Sequence, residues 1–499
     1  MIKKLKDWLY KSRFKGLFAT DGTLSQKTAR SGVWVFGSFG FSKILGFIQM
    51  IILARLLVPE DFGLMGICYV AIVGMAVFTN TGFNQALIQR KDHDDDVLNT
   101  AWVISVIRGV VLFLLLFILA PFISKFYSTA QIEPILRIIA FSFLFSGFSN
   151  IGLILYSKEL NFKKKVVYDQ ITAISSIIIT VGLALWLRNV WALVIGHVAG
   201  AVIGVGMSYK VHPFKPKFQF RINIAKELFH FGKWVFLSGI ILFFITQGDD
   251  ALVGKVLGIS ALGFYVLAYK ISNWPATAIS HVISSVSFPA YAKVQDDIPR
   301  LASAYKKVLS FTGIIAMPLA AGLFILAPEF VRIVYGEKWF PMVPALRVLC
   351  FFGITRSLNS TFGPIFQAIG KPKVLTKIAL SQIIPLIIII YPLALKYNIV
   401  GVAFAVTFVN IIALILCIIN SEVYNLTSII FIKSIYIPAI LSFLMVCLLY
   451  IMKKCIFIDI TCGNLIFLIF TGSLFYFLTS WLFNRRALLE IKKTLGYIV

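Results

Sequence analysis

Four basic residues lie inside long apolar stretches of the sequence, where an ionisable side chain is unexpected. Lys43, Arg108, Lys270 and Arg356 each fall near the middle of a hydrophobic run. A charge at the centre of a lipid bilayer costs at least ~2.5 kcal/mol, so it needs a compensating partner or a wet surrounding. Arginine can hold phosphate oxygens through two parallel hydrogen bonds, and lysine acts as a point charge. The four residues therefore predict a binding site for an anionic substrate, phosphate included.

The 21 acidic residues of the sequence offer little to neutralise these cations. Nearly all of them fall in predicted loops or close to the ends of predicted spans. Buried salt bridges would need acids at the same depth, which the sequence lacks at the predicted midplane. We therefore expect some of the four cations to face a wet cavity without a neutralising partner. Snorkelling toward the lipid headgroups and misplaced span boundaries are the alternatives.

Asp249 and Asp250 are the deepest acids, and we place them toward the outer end of the seventh span. Carboxylates near the rim of a cavity could bind Na⁺ or H⁺ and couple transport to an ion gradient. The alternative is that they pair with Lys255 or are solvated at the outer surface.

Signatures of enzymes and of metal sites are absent from the sequence. His93 stands beside three aspartates, but a short loop without a strand-and-helix scaffold predicts a solvated charge run. The segment from Gly248 to Lys255 differs from a phosphate-binding loop, because the residue after the lysine is Val256. The six cysteines form no Cys-x-x-Cys pair and are expected to be free thiols. We expect neither a catalytic residue, a metal nor a cofactor.

The composition places these residues in membrane-spanning helices. Of 499 residues, 59% are hydrophobic and 14% charged, against about 25% charged in ordinary soluble domains. A helix needs about 20 apolar residues to cross ~30 Å of hydrocarbon. Charged or Pro- and Gly-rich breaks divide the chain into about fourteen such stretches, which leaves no room for a separate catalytic domain. The predicted spans are 31–54, 62–82, 98–121, 134–156, 166–187, 191–209, 227–248, 261–287, 308–330, 341–368, 374–395, 399–420, 434–452 and 463–483.

The net charge of +26 is a topology signal. Lysine and arginine cluster in alternate connections and in both terminal tails, and short basic loops stay in the cytoplasm. We therefore expect both termini to be cytoplasmic, with anionic headgroups as partners of the basic loops. No basic stretch is interleaved with aromatics on a soluble module, which argues against nucleic-acid binding. The first 30 residues combine lysines with aromatic and apolar residues, and they predict an interfacial helix.

An internal duplication predicts how the spans are grouped. Six spans separate two similar stretches, so both copies start at the cytoplasmic side and form a parallel repeat. We expect two pseudo-symmetric six-helix lobes, at 31–212 and 213–425, with a cavity between them. A tail at 1–30 precedes them, and two added spans with a tail follow at 426–499. The stretch Gly-x-Trp-Val-Phe-x-Ser at 32–38 recurs at 232–238, and Arg55, Leu57, Gly63 and Tyr69 recur as Lys255, Leu257, Gly263 and Tyr269.

Glycines at every fourth position mark one face of the sixth predicted span. Gly196, Gly200 and Gly204 form this ridge. Such a ridge is typical of helices that pack closely in a membrane.

Several stretches of both halves resemble a known family. The sequence is similar to Wzx-type polysaccharide-unit flippases, particularly the colanic-acid-exporter-like branch, within the multidrug/oligosaccharidyl-lipid/polysaccharide (MOP) exporter superfamily. The likeness covers roughly residues 25–420, and the last ~80 residues carry little of it. The stretches are 53–63 (LARLLVPEDFG), 82–92 (GFNQALIQRKD), 99–102 (NTAW), 158–164 (KELNFKK), 191–196 (WALVIG), 254–269 (GKVLGISALGFYVLAY), 288–297 (FPAYAKVQDD), 327–339 (APEFVRIVYGEKW) and 367–372 (QAIGKP).

The resemblance implies two six-helix lobes plus two helices and a place in the bacterial plasma membrane. It implies movement of an undecaprenyl-pyrophosphate-linked oligosaccharide from the inner to the outer leaflet, for a surface polysaccharide such as capsule or lipopolysaccharide. A polymerase and other assembly proteins would then be partners. Two alternatives remain open: a multidrug cation antiporter of the same superfamily, which would need an acid at mid-membrane, and an integral-membrane glycosyltransferase or polymerase.

Overall fold

A computed structural model describes residues 24–78, 87, 94–158, 162–424, 426, 428–455 and 461–485, with few side chains at 24–36, 225–238 and 278–289. Three features of the sequence lie outside the described residues. They are the tail up to residue 23, the charge run around His93 apart from Asp94 to Asp96, and the tail beyond 485. The side chains of the repeated tryptophan motif lie outside them as well.

The described residues form α-helices joined by short turns, and none of them lies in a β-strand, which confirms the predicted all-α class. A π-helical turn (Val331–Tyr335) and a 3-10 turn (Glu337–Met342) connect α10 to α11. The helices are α1 (Leu24–Leu56), α2 (Pro59–Phe78), α3 (Asp95–Tyr127), α4 (Ile132–Gly147), α5 (Leu153–Lys158), α6 (Phe162–Leu187), α7 (Trp191–Val211), α8 (Ile222–Val256), α9 (Ile259–Ala292), α10 (Ile298–Phe330), α11 (Val343–Asn359), α12 (Phe362–Ala368), α13 (Pro372–Glu422), α14 (Ser428–Cys455) and α15 (Cys462–Phe483).

Ten helical segments of the described chain are long and apolar enough to cross a membrane. The predicted number of fourteen stays a prediction. One segment, α13, has 51 residues and combines two predicted spans, with a break at Tyr397 and Asn398. Asn398 has a φ of 51° there. A Cβ at Gly401 would lie 1.9 Å from the Leu393 carbonyl oxygen. Only glycine therefore lets the parts of α13 before and after the break approach so closely.

Several predicted spans have different ends in the structure, and two of these differences matter for the interior of the bundle. The span predicted at 134–156 ends as a helix at Gly147. Beyond it the Asn150 side chain accepts from the Gly152 N–H and donates to the carbonyls of His212 and Phe214, which follow α7. A side chain that bonds the backbone in this way competes with helical hydrogen bonds. The span predicted at 227–248 is longer, since α8 continues to Val256. The second difference places Asp249 and Asp250 inside a helix.

The helices form two groups that meet along a seam. In the N-lobe (α1–α7), α3 packs on α4, α4 on α7, α7 on α6 and α6 on α1. In the C-lobe (α8–α13), α8 packs on α13, and α11 packs on α9, α10 and α13. The main bridge is α2, which packs against α8 and α9 of the other lobe. One continuous cluster of buried apolar side chains includes residues of both lobes.

The two ends of the bundle differ in their connections. At one end, which we name the turn end, the helices are joined by short turns at 57–58, 128–131, 188–190 and 257–258 and by the segment 331–342. At the other, which we name the basic end, the connections include the lysines of 163–165 and of 212–221. This alternation matches the charge pattern that predicted the topology.

The linker between the lobes, 212–221, is tied to the N-lobe. Gln219 Nε2 donates to Asp96 Oδ1 at 2.7 Å, and Arg221 forms an ion pair with the same carboxylate. At the start of the linker, Asn150 Nδ2 donates to the carbonyls of His212 and Phe214. The backbone of the linker is therefore held along its length.

Repeat-related glycines bring the lobes together at the turn end. A Cβ at Gly63 of α2 would lie 1.9 Å from the Ile259 carbonyl oxygen, and a Cβ at Gly263 of α9 would lie 1.9 Å from the Pro59 carbonyl oxygen. The two contacts are related by the same 200-residue offset as the duplication. The pseudo-twofold axis of the repeat thus passes between α2 and α9.

The predicted glycine ridge on α7 is confirmed as a close packing face. A Cβ at Gly196 would lie 2.0 Å from Thr180 Oγ1, and one at Gly200 would lie 2.9 Å from Ser176 Oγ. Both partners belong to α6, so the ridge holds the last two helices of the N-lobe together.

The last two helices are attached to the C-lobe through α10. Lys453 of α14 pairs with Glu329 of α10 at 2.7 Å, and both side chains are only 18% exposed. Lys453 Nζ also donates to the Ile325 carbonyl at 3.0 Å. Buried apolar residues of α10, α14 and α15 form a separate cluster around this pair.

We expect Lys453→Ala to destabilise this attachment by about 2 kcal/mol, because Glu329 would be left partly buried without its cation. Thermal unfolding of the purified protein in detergent measures the change. Arg300→Ala is the matched control, since its pair with Asp297 is exposed at 78% and 44% and exposed pairs contribute about 0–1 kcal/mol. Equal shifts in the two variants would contradict the prediction.

Candidate functional site

Two aromatic rings from opposite lobes meet at mid-depth. The rings of Phe47 on α1 and Trp274 on α9 have centroids 5.6 Å apart, and Trp274 keeps 36% of its surface exposed. At 1.5 Å per residue, Phe47 lies about 14 Å and Trp274 about 22 Å from the turn end of its helix. The pair therefore marks the lobe interface deep within the bundle.

A lysine stands one helical turn from each of these rings. Lys43 precedes Phe47 by four residues and Lys270 precedes Trp274 by four, so each lysine shares a helix face with its aromatic neighbour. Because α1 and α9 run in opposite directions, Lys43 lies on the basic-end side of the pair and Lys270 on the turn-end side. Lys43 Nζ lies 5.3 Å from the centre of the Phe39 ring, and Lys270 is solvent-exposed.

One face of α9 carries polar groups at a spacing of four. Tyr265 donates its hydroxyl to Asp249 Oδ2 at 2.7 Å, and the Tyr269 hydroxyl accepts from Arg356 Nη1, also at 2.7 Å. Asn273 follows one turn later, and its Oδ1 is buried without a hydrogen-bond partner. This row connects α8, through Asp249, with α11, through Arg356.

The expectation that no acid shares the depth of the cations is wrong in the C-lobe. Asp249 lies close enough to Arg356 for a direct electrostatic interaction, and Asp250 interacts in the same way with Lys270. The physical reason is the length of α8, which extends beyond 248 and carries both aspartates into the bundle. Asp249 is 3% exposed, so it is not an outer-surface residue. The alternative that these acids pair with Lys255 is not seen, because Lys255 donates to a carbonyl of α3.

Arg108 occupies a different place from the other three predicted cations. It lies on α3 inside the N-lobe, where its Nη2 donates to the Ala76 carbonyl in the last turn of α2 at 3.4 Å. A cation at this position also stabilises the C-terminal end of α2 through the helix dipole.

The structure thus brings together two of the four predicted cations and both predicted acids. Lys270 and Arg356 lie around α9 with Asp249 and Asp250, whereas Lys43 lies on the other lobe, across the Phe47–Trp274 contact from Lys270. The aromatic and amide residues of this region are not among the site residues predicted from the sequence. A signal was present in the four-residue spacing of the polar positions along α9, which places them on one helix face. The missed residues are Phe47, Tyr265, Tyr269, Asn273 and Trp274.

Comparison with known proteins identifies relatives that match from about two thirds to nearly all of the chain. A family described as "Polysaccharide biosynthesis protein" matches residues 52–344. An uncharacterized membrane protein in the cps region of Klebsiella pneumoniae is 28% identical, and the match covers 94% of this chain and 98% of the relative. The lipopolysaccharide biosynthesis protein WzxC of Escherichia coli (strain K12) is 27% identical over 69% of this chain and 71% of the relative.

Two solved structures share the fold. The lipid II flippase MurJ, in an inward closed conformation, aligns with a TM-score of 0.73 at 19% identity and covers 91% of this chain and 99% of that chain. An inward-facing multidrug resistance MATE transporter of the MOP superfamily aligns with a TM-score of 0.63 at 16% identity, over 77% of this chain and 95% of that chain. The predicted two-lobe architecture is confirmed by these folds, and the resemblance to Wzx-type proteins is confirmed by the likeness to WzxC. The chain belongs to the polysaccharide biosynthesis protein family, whose match covers more than half of its residues.

Proposed function

We propose that this protein flips a lipid-linked oligosaccharide, carried on undecaprenyl pyrophosphate, from the inner to the outer leaflet of the bacterial plasma membrane. The observation that carries the proposal is the position of Lys43 and Lys270. These lysines come from opposite lobes and flank the Phe47–Trp274 contact at mid-depth. A pyrophosphate needs cations in a wet site, and two lobes that each supply one can hold it while they move.

The proposed cycle is alternating access. The basic end faces the cytoplasm, and the headgroup enters between the lobes while the lipid tail stays in the bilayer at a lateral gap. Lys43 and Lys270 hold the pyrophosphate, with Arg356 as a further contact, while a role of Arg108 in binding stays a prediction from the sequence. Rocking of the lobes then opens the turn end and exposes the sugar to the outside. The chain acts as a transporter in this scheme, and no bond of the substrate is made or broken.

Asp249 and Asp250 supply a way to couple this cycle to an ion gradient. Each carboxylate interacts with one of the proposed substrate cations, Arg356 and Lys270 respectively. Asp249 Oδ1 is buried without a hydrogen-bond partner. Binding of H⁺ or Na⁺ to the carboxylates would weaken their electrostatic attraction to Arg356 and Lys270. The two cations would then be available to bind the pyrophosphate. Ion and anionic substrate would then bind cooperatively.

Purified protein in liposomes that contain the pyrophosphate-linked oligosaccharide tests the function. We expect protein-dependent appearance of the glycan on the opposite leaflet, read with a membrane-impermeant glycosidase, and a change of rate when a pH or Na⁺ gradient is imposed. Empty liposomes are the control. Absence of flipping together with export of a cationic dye would favour a multidrug antiporter, and a lengthened glycan would favour a glycosyltransferase. The flipped lipid is the expected substrate of a polymerase and its assembly partners.

A further inference from the structure

Three of the stretches that carry the family resemblance meet at one place, the turn end of the seam. They are 53–63 of the N-lobe and 254–269 and 327–339 of the C-lobe. Tyr265 and Tyr269, at the end of the second stretch, belong to the candidate site. The inter-lobe contacts at 54–62, 255–260 and 333–339 lie about 15 Å or more from Lys270 along α9, apart from that site.

The first contact reaches from the N-lobe to the C-lobe. Arg55, in the last turn of α1, donates from Nε to the Val334 carbonyl at 2.8 Å and from Nη2 to the Ile333 carbonyl. These carbonyls belong to the π-helical turn that follows α10, the third long helix of the C-lobe. The guanidinium thus binds the carbonyl-rich end of a helix from the opposite lobe, where a cation is favoured.

The second contact is related to the first by the pseudo-twofold axis. Lys255, in the last turn of α8, is the repeat counterpart of Arg55. Its Nζ donates to the Phe126 carbonyl at the end of α3, the third helix of the N-lobe, and lies 5.0 Å from the centre of the Phe126 ring. Both cations are solvent-exposed. A pair of contacts related by the pseudo-twofold axis therefore crosses the seam in opposite directions.

Two further contacts close the same region. Ser260 donates its hydroxyl to Glu60, and these two residues are separated by the repeat offset of 200. The indole of Trp339 is fully buried and donates from Nε1 to the Ala54 carbonyl at 2.8 Å. Its ring packs edge-on against Phe62 of the N-lobe, with centroids 5.0 Å apart.

These contacts differ in how easily they can be exchanged for water. Arg55 and Lys255 are exposed, so their carbonyl bonds can be replaced by hydration at little loss of free energy. The Trp339 side chain is buried, and it would have to leave an apolar surrounding if the lobes separated. The exposed pair is thus suited to reversible closure, and the indole adds a larger barrier to opening.

We propose that Arg55 and Lys255 are paired latches of an outer gate, which Trp339 seals, and that the gate must open for the lipid-linked glycan to leave. This inference rests on the proposed rocking of the lobes. It adds a second set of residues to the transport cycle, at the turn end and apart from the substrate cations. When the lobes separate at this end, both latches release together because they are related by one axis.

Access of a membrane-impermeant thiol reagent to Lys270→Cys tests the latches, in protein whose six native cysteines are replaced by alanine. We expect Arg55→Ala with Lys255→Ala to raise the labelling rate from the turn end about fivefold, as removal of two exposed contacts predicts. Lys125→Ala is the matched control, an exposed lysine at the end of α3. An unchanged rate in the double variant, or an equal rise in the control, would overturn the proposal.

Cross-linking provides a measurement that does not depend on the stability of the latch variants. A short, cleavable thiol cross-linker between Glu60→Cys and Ser260→Cys should stop labelling of Lys270→Cys from the turn end. In a second protein that carries the same cysteine pair but keeps Lys270, the cross-linker should stop flipping, and cleavage should restore labelling and flipping in the respective proteins. Full flipping in the cross-linked protein would overturn the gate. Labelling requires no lipid-linked glycan, so failure of the proposed function would leave the labelling result unchanged and is distinguishable from failure of the gate.

Discussion

Replacement of Lys270 by alanine is expected to lower the flipping rate of the pyrophosphate-linked oligosaccharide by at least about tenfold. A hydrogen bond to a charged group contributes about 1.5–3 kcal/mol, and about 1.4 kcal/mol corresponds to a factor of ten. Lys270 is exposed and stands beside the contact between the lobes, so it is available to a bound anion. The liposome assay measures the rate, and Lys43→Ala should lower it similarly from the other lobe.

The effect on the substrate must be separated from the effect on Asp250, which interacts with Lys270. Asp250→Asn combined with Lys270→Ala removes both charges, so it should recover stability without recovering transport. Lys270→Arg keeps the charge and should retain most of the rate. Lys396→Ala is a control at an exposed lysine near the break in α13. Full flipping by Lys270→Ala, or recovery in the double variant, would remove Lys270 from the substrate site.

Gly63→Ala is expected to produce the largest loss of stability, about 3 kcal/mol. The new Cβ would lie 1.9 Å from the Ile259 carbonyl oxygen, which is backbone and cannot move aside as a flexible side chain could. Helices α2 and α9 would have to separate, and with them the main contact between the lobes. Gly263→Ala should act alike, because its Cβ would meet the Pro59 carbonyl at the same distance.

Thermal unfolding in detergent, read with a thiol-reactive dye on the buried cysteines, measures this loss. Gly206→Ala is the matched control, since a Cβ there meets nothing within 4 Å. That variant should be neutral or more stable by up to about 1 kcal/mol, because alanine favours helix more than glycine does. If Gly63→Ala unfolds at the same temperature as Gly206→Ala, the close crossing of α2 and α9 is not what holds the lobes together.

Much of the fold could be predicted because a bilayer restricts the possible structures. Hydropathy indicated the spans. The 200-residue offset paired Gly63 with Gly263, and both glycines lie where α2 and α9 cross between the lobes. The ridge at Gly196 correctly predicted close helix packing, and the structure shows that the partner is α6. Each of these features follows from one rule of spacing in the sequence, whether of four residues or of 200.

The charge balance of the site could not be predicted in the same way. It depended on whether α8 ends at 248 or at Val256, and apolar composition alone does not locate a helix end that carries two aspartates. Depth in the bundle also depends on how far each helix extends beyond the hydrocarbon. The interaction of Asp249 with Arg356 joins residues more than one hundred positions apart. Only the packing of α8, α9 and α11 brings them together.

The anchoring of the linker 212–221 decides where the molecule can bend. Gln219 and Arg221 both bind Asp96 of the N-lobe. The linker is therefore expected to move as a rigid part of the N-lobe, and not as a flexible connection between the lobes. We therefore expect a change of angle between the lobes to be taken up in the first turns of α8, directly after Arg221. A fluorophore placed on the linker would consequently report the orientation of the N-lobe alone.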